Sequence, residues 1–241
     1  MSGAGEMDWW SAYPLPAAGV RHVRMNFVTS ADGAVTIDGR SGALGGAHDR
    51  ELMRVLRSLC DAVLVGAGTV RAEGYGGLGL SADLRERRVA LGLTAVPRMV
   101  IASGSLDLTP DMSVFAKAEE RPIVITRRGA SAERLEALRD VAEVVEFGDR
   151  EVDLGAAFDW LASQGLARVL CEGGPGLFGS LLAAELVDEV CLTVSPLFVA
   201  GEAPRIAHSL EAHPTRFRVA SVLSDDESFV FLRYERATSG A

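Results

Sequence analysis

Cysteine is scarce in this 241-residue chain, and its three cysteines, Cys60, Cys171 and Cys191, lie far apart. A structural zinc site or a disulfide framework needs more cysteines at closer spacing. We therefore expect no metal site. We also expect three free, mostly buried thiols, as is usual for proteins of a reducing cytoplasm.

Positive charge and long apolar runs are also lacking. The chain has 24 basic and 33 acidic residues, a formal net charge of −9, which argues against the dense basic surface of a nucleic-acid binder. No apolar run approaches the roughly 20 residues that span a bilayer. The first ten residues do not have the basic start and apolar core of a signal peptide. We expect a cytoplasmic protein with no membrane or nucleic-acid partner.

Strand-like and helix-like segments alternate along most of the chain, which predicts an α/β fold with mainly parallel pairing. We expect an N-terminal arm at 1–20, loosely attached unless its aromatic residues pack on the body, and a single domain at 21–237. The predicted strands are 23–29, 61–66, 97–102, 121–126, 142–147, 167–171, 188–195, 215–223 and 228–235. The predicted helices are 48–60, 131–140, 153–164 and 175–186.

Two segments depart from this alternation. The last two strands follow each other across a Ser-Asp-Asp-Glu-Ser turn, which predicts a C-terminal antiparallel hairpin. The stretch from Gly74 to Val96 is the longest irregular piece, and we interpret its glycine-rich start as part of a mobile flap.

The glycine-rich stretch from Arg168 to Leu182 is the most informative part of the sequence. A short buried strand leads into a turn that carries Glu172, and Pro175 then opens a helix. The first N–H groups of such a helix are unpaired and lie at the positive end of its dipole, where a phosphate binds well. This pattern predicts a nucleotide-binding turn with a carboxylate at the carboxyl end of the strand.

The segment Gly174–Gly179 matches G-x-G-x-x-G, but its position excludes a Rossmann domain. A Rossmann fingerprint lies in the first βαβ unit, and an acid follows roughly 20 residues later. Here the motif follows two-thirds of the chain, and the next strand ends without an acid at Ser195-Pro-Leu. A phosphate-binding turn and a tight turn without a ligand both remain open.

Other strand ends offer further polar groups. The strand before Gly66 runs into a second glycine turn with Thr69, which could hold the other end of a dinucleotide. Thr126 and Arg127 end another strand, and arginine near the adenosine ribose accommodates a 2′-phosphate. Solvated surface arginines explain Arg127 equally well. Ser103 also follows a strand, but the sequence supports a ligand-binding role for Ser103 less strongly.

The first strand carries a polar cluster at its end, formed by Asn26, Thr29, Ser30 and Asp32. Turn chemistry accounts for Asp32 and Gly33, but Asn26 in an apolar strand requires a partner. Arg57 lies near the end of the helix predicted at 48–60. It either belongs to a solvated face with Arg50 and Arg54 or points toward the end of the sheet.

Three motifs resemble the pyrimidine reductase family of riboflavin biosynthesis, the reductase half of the bifunctional deaminase/reductase. They are Thr29-Ser-Ala-Asp-Gly33, the segment Leu56–Glu73 with Val-Gly-Ala-Gly-Thr, and Leu170-Cys-Glu-Gly-Gly-Pro-Gly-Leu177, and they occur in the family's order. The resemblance covers about residues 22–235. The deaminase signature H-x-E with P-C-x-x-C is missing from this sequence, so we expect the reductase alone.

The resemblance implies a dihydrofolate-reductase-like three-layer α/β/α fold with a mixed, mostly parallel sheet, and it implies a homodimer. It also implies NADPH as the cofactor and an aminouracil or pyrimidine ribosyl phosphate as the substrate. The residues expected to bind substrate are Asn26, Ser30, Arg57 and Glu172, and those with a catalytic role are Glu172 and Asp32. The residues expected to bind the cofactor are Val28, Thr69, Glu73, Ser103, Thr126, Arg127, Gly173, Gly174, Pro175, Gly176, Leu177 and Phe178.

The sequence departs from the family on the substrate side. Leu80 stands where an arginine for the substrate phosphate is expected, and Leu44 lies where members carry Ser-x-Trp. Arg85, Arg87 and Arg88 are candidates to supply the missing charge. Three alternatives stay open: an NADPH-dependent reductase of a dihydropteridine or dihydrofolate, a non-catalytic NADPH-binding regulatory protein, and a structural protein with no ligand.

Overall fold

Nine strands form one sheet at the centre of the computed structural model, which describes residues 7–237. The strands are β1 (His22–Ser30), β2 (Ala62–Gly66), β3 (Arg98–Ala102), β4 (Ile123–Thr126), β5 (Glu143–Glu146), β6 (Arg168–Cys171), β7 (Glu189–Ser195), β8 (Phe217–Ser224) and β9 (Val230–Arg236). The helices are α1 (Trp9–Ala12), α2 (Ala47–Ser58), α3 (Ala67–Glu73), α4 (Ala82–Ala90), α5 (Ser113–Ala116), α6 (Ala132–Leu138), α7 (Leu154–Ser163) and α8 (Pro175–Ala183).

The sheet has the order β5-β4-β3-β2-β6-β1-β7-β9-β8. The pairs from β5 through β7 are parallel, whereas β9 is antiparallel to both β7 and β8. Met25 on β1 pairs with Cys171 on β6 and with Val190 on β7, so β1 lies between these two strands. The mixed, mostly parallel sheet with a C-terminal antiparallel hairpin is confirmed.

Helices cover both faces of the sheet because successive strand residues point to opposite sides. On β2, Leu64 packs in a core cluster with residues of α7 and α8. On the other face, Val63 packs with residues of α1 and α2. Val65 packs on that face with residues of α3, α5 and α6. These are the three layers expected for a dihydrofolate-reductase-like domain.

The predicted elements agree closely with the structure. Each of the nine predicted strands lies within two residues of an observed one at both ends, and the four predicted helices correspond to α2, α6, α7 and α8. Strand runs rich in valine, isoleucine and leucine and bounded by polar turns were sufficient to locate the sheet.

The interpretation of residues 74–96 as one irregular flap is wrong, since α4 occupies much of this stretch. The Ser81 hydroxyl accepts a hydrogen bond from the Leu84 amide and begins the helix, and Asp83 lies in its first turn. The residues that follow are good helix formers. The irregular part is therefore limited to the glycine-rich segment before Ser81 and the short connection after the helix.

Arg88 fixes α4 against the end of α2. Its side chain is fully buried, and it donates hydrogen bonds of 2.8 Å to the carbonyl oxygens of Arg57, Cys60 and Thr94. A cation at a helix C-terminus also interacts favourably with the helix dipole. Burial lowers the pKa of the Arg88 guanidinium. Arg88 thus holds the last turn of α2, which carries Arg57.

The described part of the N-terminal arm, residues 7–20, packs on the domain. Trp9 is 1% exposed, and its ring meets the edge of Phe231 at 4.9 Å between centroids. Tyr13 is fully buried beside it, and the Arg87 guanidinium lies 3.6 Å from the centre of the Trp10 ring. The loose attachment expected of the arm does not apply to these residues, because Trp9 and Tyr13 are buried and Trp10 is half-buried. The domain limits at 20 and 237 stay predictions.

The three cysteines are free and buried, as predicted. Burial raises the pKa of Cys60 to about 12 and that of Cys171 to about 12, so both remain unreactive thiols near neutral pH. Among residues 7–237, no helix has the length and apolar character needed to cross a membrane.

We predict that Arg88→Met destabilises the protein by roughly 3 kcal/mol, because three carbonyl acceptors would lose their buried donor. Urea unfolding measures this change. Arg87→Met is the matched control, since Arg87 is exposed on the same helix. Equal unfolding midpoints for the two variants would contradict the role given to Arg88.

Candidate active site

A cavity of about 740 Å³ lies at the carboxyl ends of β1, β2 and β6. Its walls come from the end of β1, the inner face of α2, the glycine turns after β2 and β6, and the loops around residues 35–45 and 74–77. Parallel strands place their carboxyl ends at one edge of the sheet, so segments distant in sequence meet there.

A buried ion pair between Arg57 and Glu172 crosses one wall of the cavity. The guanidinium Nε and Nη2 each donate a 2.7 Å hydrogen bond to a separate carboxylate oxygen. The two side chains are only 10% and 6% exposed. This bidentate geometry joins α2 to the turn after β6, and it brings together the two residues expected to contact substrate.

Two further N–H groups of Arg57 also donate hydrogen bonds. Nη1 donates to the Leu78 carbonyl at 2.7 Å, and Nη2 donates to the Tyr75 hydroxyl at 3.1 Å. Burial alone would lower the pKa of the Arg57 guanidinium, but the charge of Glu172 and the hydrogen bonds to it raise that pKa above its usual value. Arg57 is therefore a fixed cation that orients Glu172. Its position rules out the alternative that Arg57 belongs to a solvated helix face with Arg50 and Arg54.

The two glycine turns predicted from the sequence lie in contact. The Gly66 amide donates to the Gly173 carbonyl at 2.7 Å. A Cβ atom on Gly174 would lie 2.9 Å from the Thr69 hydroxyl. Gly173 has a φ of +96°, and a Cβ there would lie 3.0 Å from the Phe27 ring. Glycine is therefore required for the turns to approach this closely.

Helices α3 and α8 begin at these turns, and neither has a side-chain cap. Gly68 and Thr69 from α3 and Pro175 and Gly176 from α8 line the cavity. The first N–H groups of a helix lack partners within it, and they lie at the positive end of the helix dipole. The start of α8 thus offers the cavity a surface suited to a phosphate group.

Asn26 and Val28 line the cavity from β1. The Oδ1 atom of Asn26 is inaccessible to solvent and has no hydrogen-bond partner among residues 7–237. A buried amide oxygen without a partner is costly, so a ligand that donates to it would be favoured. The described part of the chain therefore does not supply the partner that the sequence required for Asn26.

The structure does not bring Ser30 and Asp32 to the cavity wall. The Asp32 carboxylate accepts hydrogen bonds from the Ser30 hydroxyl and from the amides of Val199 and Ala200. The Ser30 hydroxyl bond and these amide bonds lower the pKa of Asp32 to about 2. Ser30 also accepts from the Ala34 amide. Both residues hold the turn after β1, and this geometry does not favour a catalytic role for Asp32.

The other expected cofactor residues differ in position. Glu73 lines the cavity rim and accepts two 2.9 Å hydrogen bonds from the amide and hydroxyl of Ser41. Leu177 lines the wall, whereas Phe178 is a core residue that stacks on Phe27 at 5.4 Å. Gly173 lies behind the wall, where it contacts Gly66.

Ser103, Thr126 and Arg127 lie outside the cavity wall, at the carboxyl ends of β3 and β4. The hydroxyls of Ser103 and Thr126 are buried and have no hydrogen-bond partner within the described residues. Arg127 is half-buried and donates at 3.4 Å to the neighbouring Arg128 carbonyl. These residues continue the same sheet edge beyond the glycine turns.

The arginine expected for the substrate phosphate, whose position Leu80 occupies, is not replaced by a side chain of α4. Arg85 pairs with Glu119, Arg87 stacks on Trp10, and Arg88 is buried against backbone carbonyls. The suggestion that one of these three supplies the charge is wrong, because each side chain is engaged away from the cavity. Leu44 and Leu80 are both buried core residues.

Sequence reasoning missed part of the α2 face. Asp49, Arg50 and Met53 line the cavity together with Arg57. The spacing of Asp49, Met53 and Arg57 at i, i+4 and i+8 is the signal that could have revealed this face. Burial raises the pKa of Asp49.

The nine-stranded mixed sheet and the glycine turns at one edge define a dihydrofolate-reductase-like α/β domain. A family model described as the RibD C-terminal domain matches residues 21–231. The chain belongs to this family, which confirms the resemblance seen in the motifs.

Named relatives match over most of the chain. The 2,5-diamino-6-ribosylamino-4(3H)-pyrimidinone 5′-phosphate reductase of Archaeoglobus fulgidus is 30% identical over 218 residues, 89% of this chain and 99% of that protein. The protein of the same name from Methanothermobacter thermautotrophicus is 32% identical over 185 residues, 76% of this chain and 82% of that protein. The crystal structure of a pyrimidine reductase-like protein from Corynebacterium diphtheriae matches with a TM-score of 0.81 and 29% identity, covering 91% and 93% of the two chains.

We predict that Glu172→Gln and Arg57→Met each destabilise the protein by about 3–5 kcal/mol, because each leaves one buried charge without its partner. The double variant Arg57→Met with Glu172→Gln should recover most of this loss, since no unpaired charge remains. Chemical unfolding of the three variants measures the effect. A double variant as unstable as the sum of the single variants would contradict the account of the pair.

Proposed function

We propose that this protein is an NADPH-dependent reductase of an aminopyrimidine ribosyl phosphate, similar to 5-amino-6-(5-phosphoribosylamino)uracil reductase, and acts in riboflavin biosynthesis. One observation carries the proposal: two touching glycine turns and the buried Arg57–Glu172 pair meet at a single cavity. The names of the archaeal relatives, which this chain matches over most of their length, support the same reaction.

The residues present fit a reduced dinucleotide. The volume of the cavity is within the range of about 300–1,000 Å³ typical of ligand pockets. Gly174, Pro175 and Gly176 at the start of α8 would hold the pyrophosphate, with Thr69 opposite them. Ser103 and Thr126 would receive the adenosine end with their unpartnered hydroxyls. Arg127 would face the 2′-phosphate that distinguishes NADPH from NADH.

NADPH, when bound, would supply a hydride for an electrophilic C=N carbon or the carbonyl carbon of the opened ribose, and one proton would complete the reduction at the nitrogen or oxygen. The protein's contribution is to position the substrate and exclude water. Each Glu172 oxygen accepts one bond from Arg57 and retains capacity for a second, so Glu172 can accept N–H groups of the pyrimidine ring. The unpartnered Asn26 oxygen can accept another.

We also propose that two chains form a homodimer. Strand β8 is an edge of the sheet and exposes Val219 and Val222, and Phe198 and Leu210 are exposed in the preceding loop. An exposed edge strand with apolar residues is a surface that pairs readily. Light scattering should give a mass twice that of the 25.5 kDa chain, and a single-chain mass at all concentrations would contradict the proposal. The proposed setting is the cytoplasm, where the buried thiols stay reduced.

Absorbance at 340 nm tests the proposed reaction. The protein should oxidise NADPH when 5-amino-6-(5-phosphoribosylamino)uracil or its 2,5-diaminopyrimidinone counterpart is added, and it should use NADH less well. A panel of dihydropterins and dihydrofolate serves as the comparison. Turnover of the dihydropterins alone would favour a reductase of that class, and tight NADPH binding without any turnover would favour a regulatory protein.

A pair of variants at Gly176 provides the control for the cofactor position. A Cβ on Gly176 would meet no atom within 4 Å, so both variants should fold. Gly176→Asp should raise the KM for NADPH more than tenfold, because its carboxylate would repel the phosphates. Gly176→Ala should remain close to the wild type.

A further inference from the structure

Three carboxyl groups line the cavity among the described residues, those of Asp49, Glu73 and Glu172. The proposed reduction consumes one proton, and a positioned carboxyl group is a suitable donor. Glu172 is held as a carboxylate, because both of its oxygens accept hydrogen bonds from the Arg57 guanidinium. Glu73 is exposed at the rim, and its carboxylate accepts from the amide and hydroxyl of Ser41. Neither of these two groups is suited to carry a proton to the substrate.

Asp49 has a different environment. Its side chain is half-buried near the start of α2, and no ion pair within 4.0 Å joins its carboxyl group to a cation among residues 7–237. Burial raises the pKa of this carboxyl, and the nearby Thr193 hydroxyl and Arg50 charge lower it by less. The balance favours the protonated form of Asp49 more than in an exposed aspartate.

A buried hydroxyl lies beside Asp49. Thr193 on β7 is fully buried, and its Oγ1 atom has no hydrogen-bond partner among the residues that the structure describes. A hydroxyl can donate to a carboxylate oxygen. Thr193 is therefore placed to stabilise the carboxylate that remains when Asp49 has given up its proton.

The register of the sheet places Asp49 next to the proposed substrate. Thr193 pairs with Val28 on β1, and Asn26 lies two residues earlier on the same face of β1. Val28 and Asn26 both line the cavity, as Asp49 does, and the two strand positions are about 7 Å apart. A ring that donates to the unpartnered Asn26 oxygen therefore lies beside Asp49.

We propose that Asp49 is the proton donor of the reduction. This inference rests on the proposed function, because it assumes a substrate with an electrophilic C=N or C=O bond. The carbon of that bond accepts the hydride, and the π electron pair moves to the nitrogen or oxygen. That atom takes the proton of the Asp49 carboxyl, and the resulting carboxylate regains a proton from water.

The charged groups around Asp49 come from α2, the cavity wall and the turn between β8 and β9. They are His48, Arg50, Arg57, Glu172, Asp225 and Glu227. His48 pairs with Asp225, and Arg57 pairs with Glu172. Arg50 is therefore the unpaired neighbour whose charge acts on Asp49 among the described residues.

The pH dependence of single-turnover reduction by Asp49→Asn tests the proposal, with Glu51→Gln as the matched control. Glu51 is exposed on the same helix and lies outside the cavity wall. The wild-type rate should fall as the pH rises through the pKa of Asp49, because the donor loses its proton. Below that pKa, Asp49→Asn should be roughly 10²- to 10⁴-fold slower, the usual contribution of a general acid, and its rate should not show this pH dependence. Glu51→Gln should behave as the wild type.

Thr193→Val provides a second variant with a specific signature. Loss of the hydroxyl should raise the pKa of Asp49 and move the fall in rate to higher pH. NMR titration of ¹³C-labelled aspartate carboxyls measures this pKa without cofactor or substrate. The wild-type value should lie above the usual range of an exposed aspartate, and Thr193→Val should raise it further.

Three results would overturn the assignment while leaving the proposed function in place. One is a wild-type rate and pH profile in Asp49→Asn. Another is an ordinary pKa for Asp49 in the NMR titration. The third is loss of the pH dependence in Tyr75→Phe instead, since the Tyr75 hydroxyl also lines the cavity.

The choice of substrate separates the two proposals. If the wild type reduces dihydropterins and no pyrimidine, the proposed function fails, and the same variants assayed on dihydropterins decide the role of Asp49. If pyrimidines are reduced equally by the wild type and Asp49→Asn, the reaction stands and the donor role fails. If no substrate is reduced, both fail.

Discussion

The buried pair of Arg57 and Glu172 is the interaction on which the rest of the site depends. It joins the last turn of α2 to the glycine turn after β6, two segments that lie 115 residues apart in the sequence. A buried ion pair as a whole contributes modestly to the free energy of unfolding. Removal of either member is costly, however, because the other charge stays buried without a partner. The pair thereby fixes the Glu172 carboxylate at the cavity wall, with oxygen lone pairs free for a ligand.

Other parts of the fold support this pair. Arg88 from α4 holds the carbonyl oxygens at the end of α2, and the N-terminal aromatic residues cover the same helix. On the opposite wall, Gly66 and Gly173 are joined by a backbone hydrogen bond, so the two turns keep a fixed separation. The cavity is thus set by rigid elements, which suits a reaction that depends on placing donor and acceptor in contact.

Much of the fold followed from local patterns, because apolar strands bounded by turns and amphipathic helices carry strong periodic signals. The glycine turns and Glu172 were also readable, since their residue types are tied to backbone geometry. The burial of Arg57, the engagement of Arg88 and the bonds from the Val199 and Ala200 amides to Asp32 were not readable. Each depends on partners more than 25 residues away, such as Glu172, Cys60 and Val199, and tertiary contacts of this kind leave no local signal.

The central claim is that the cavity holds NADPH and an aminopyrimidine ribosyl phosphate close enough for direct hydride transfer. The most direct measurement is a single turnover with NADPH deuterated at C4 of the nicotinamide, followed by mass spectrometry and NMR of the product. The account predicts one deuterium bound to carbon in the sugar-derived chain of the product. Product without carbon-bound deuterium from either C4 epimer of the cofactor would contradict it.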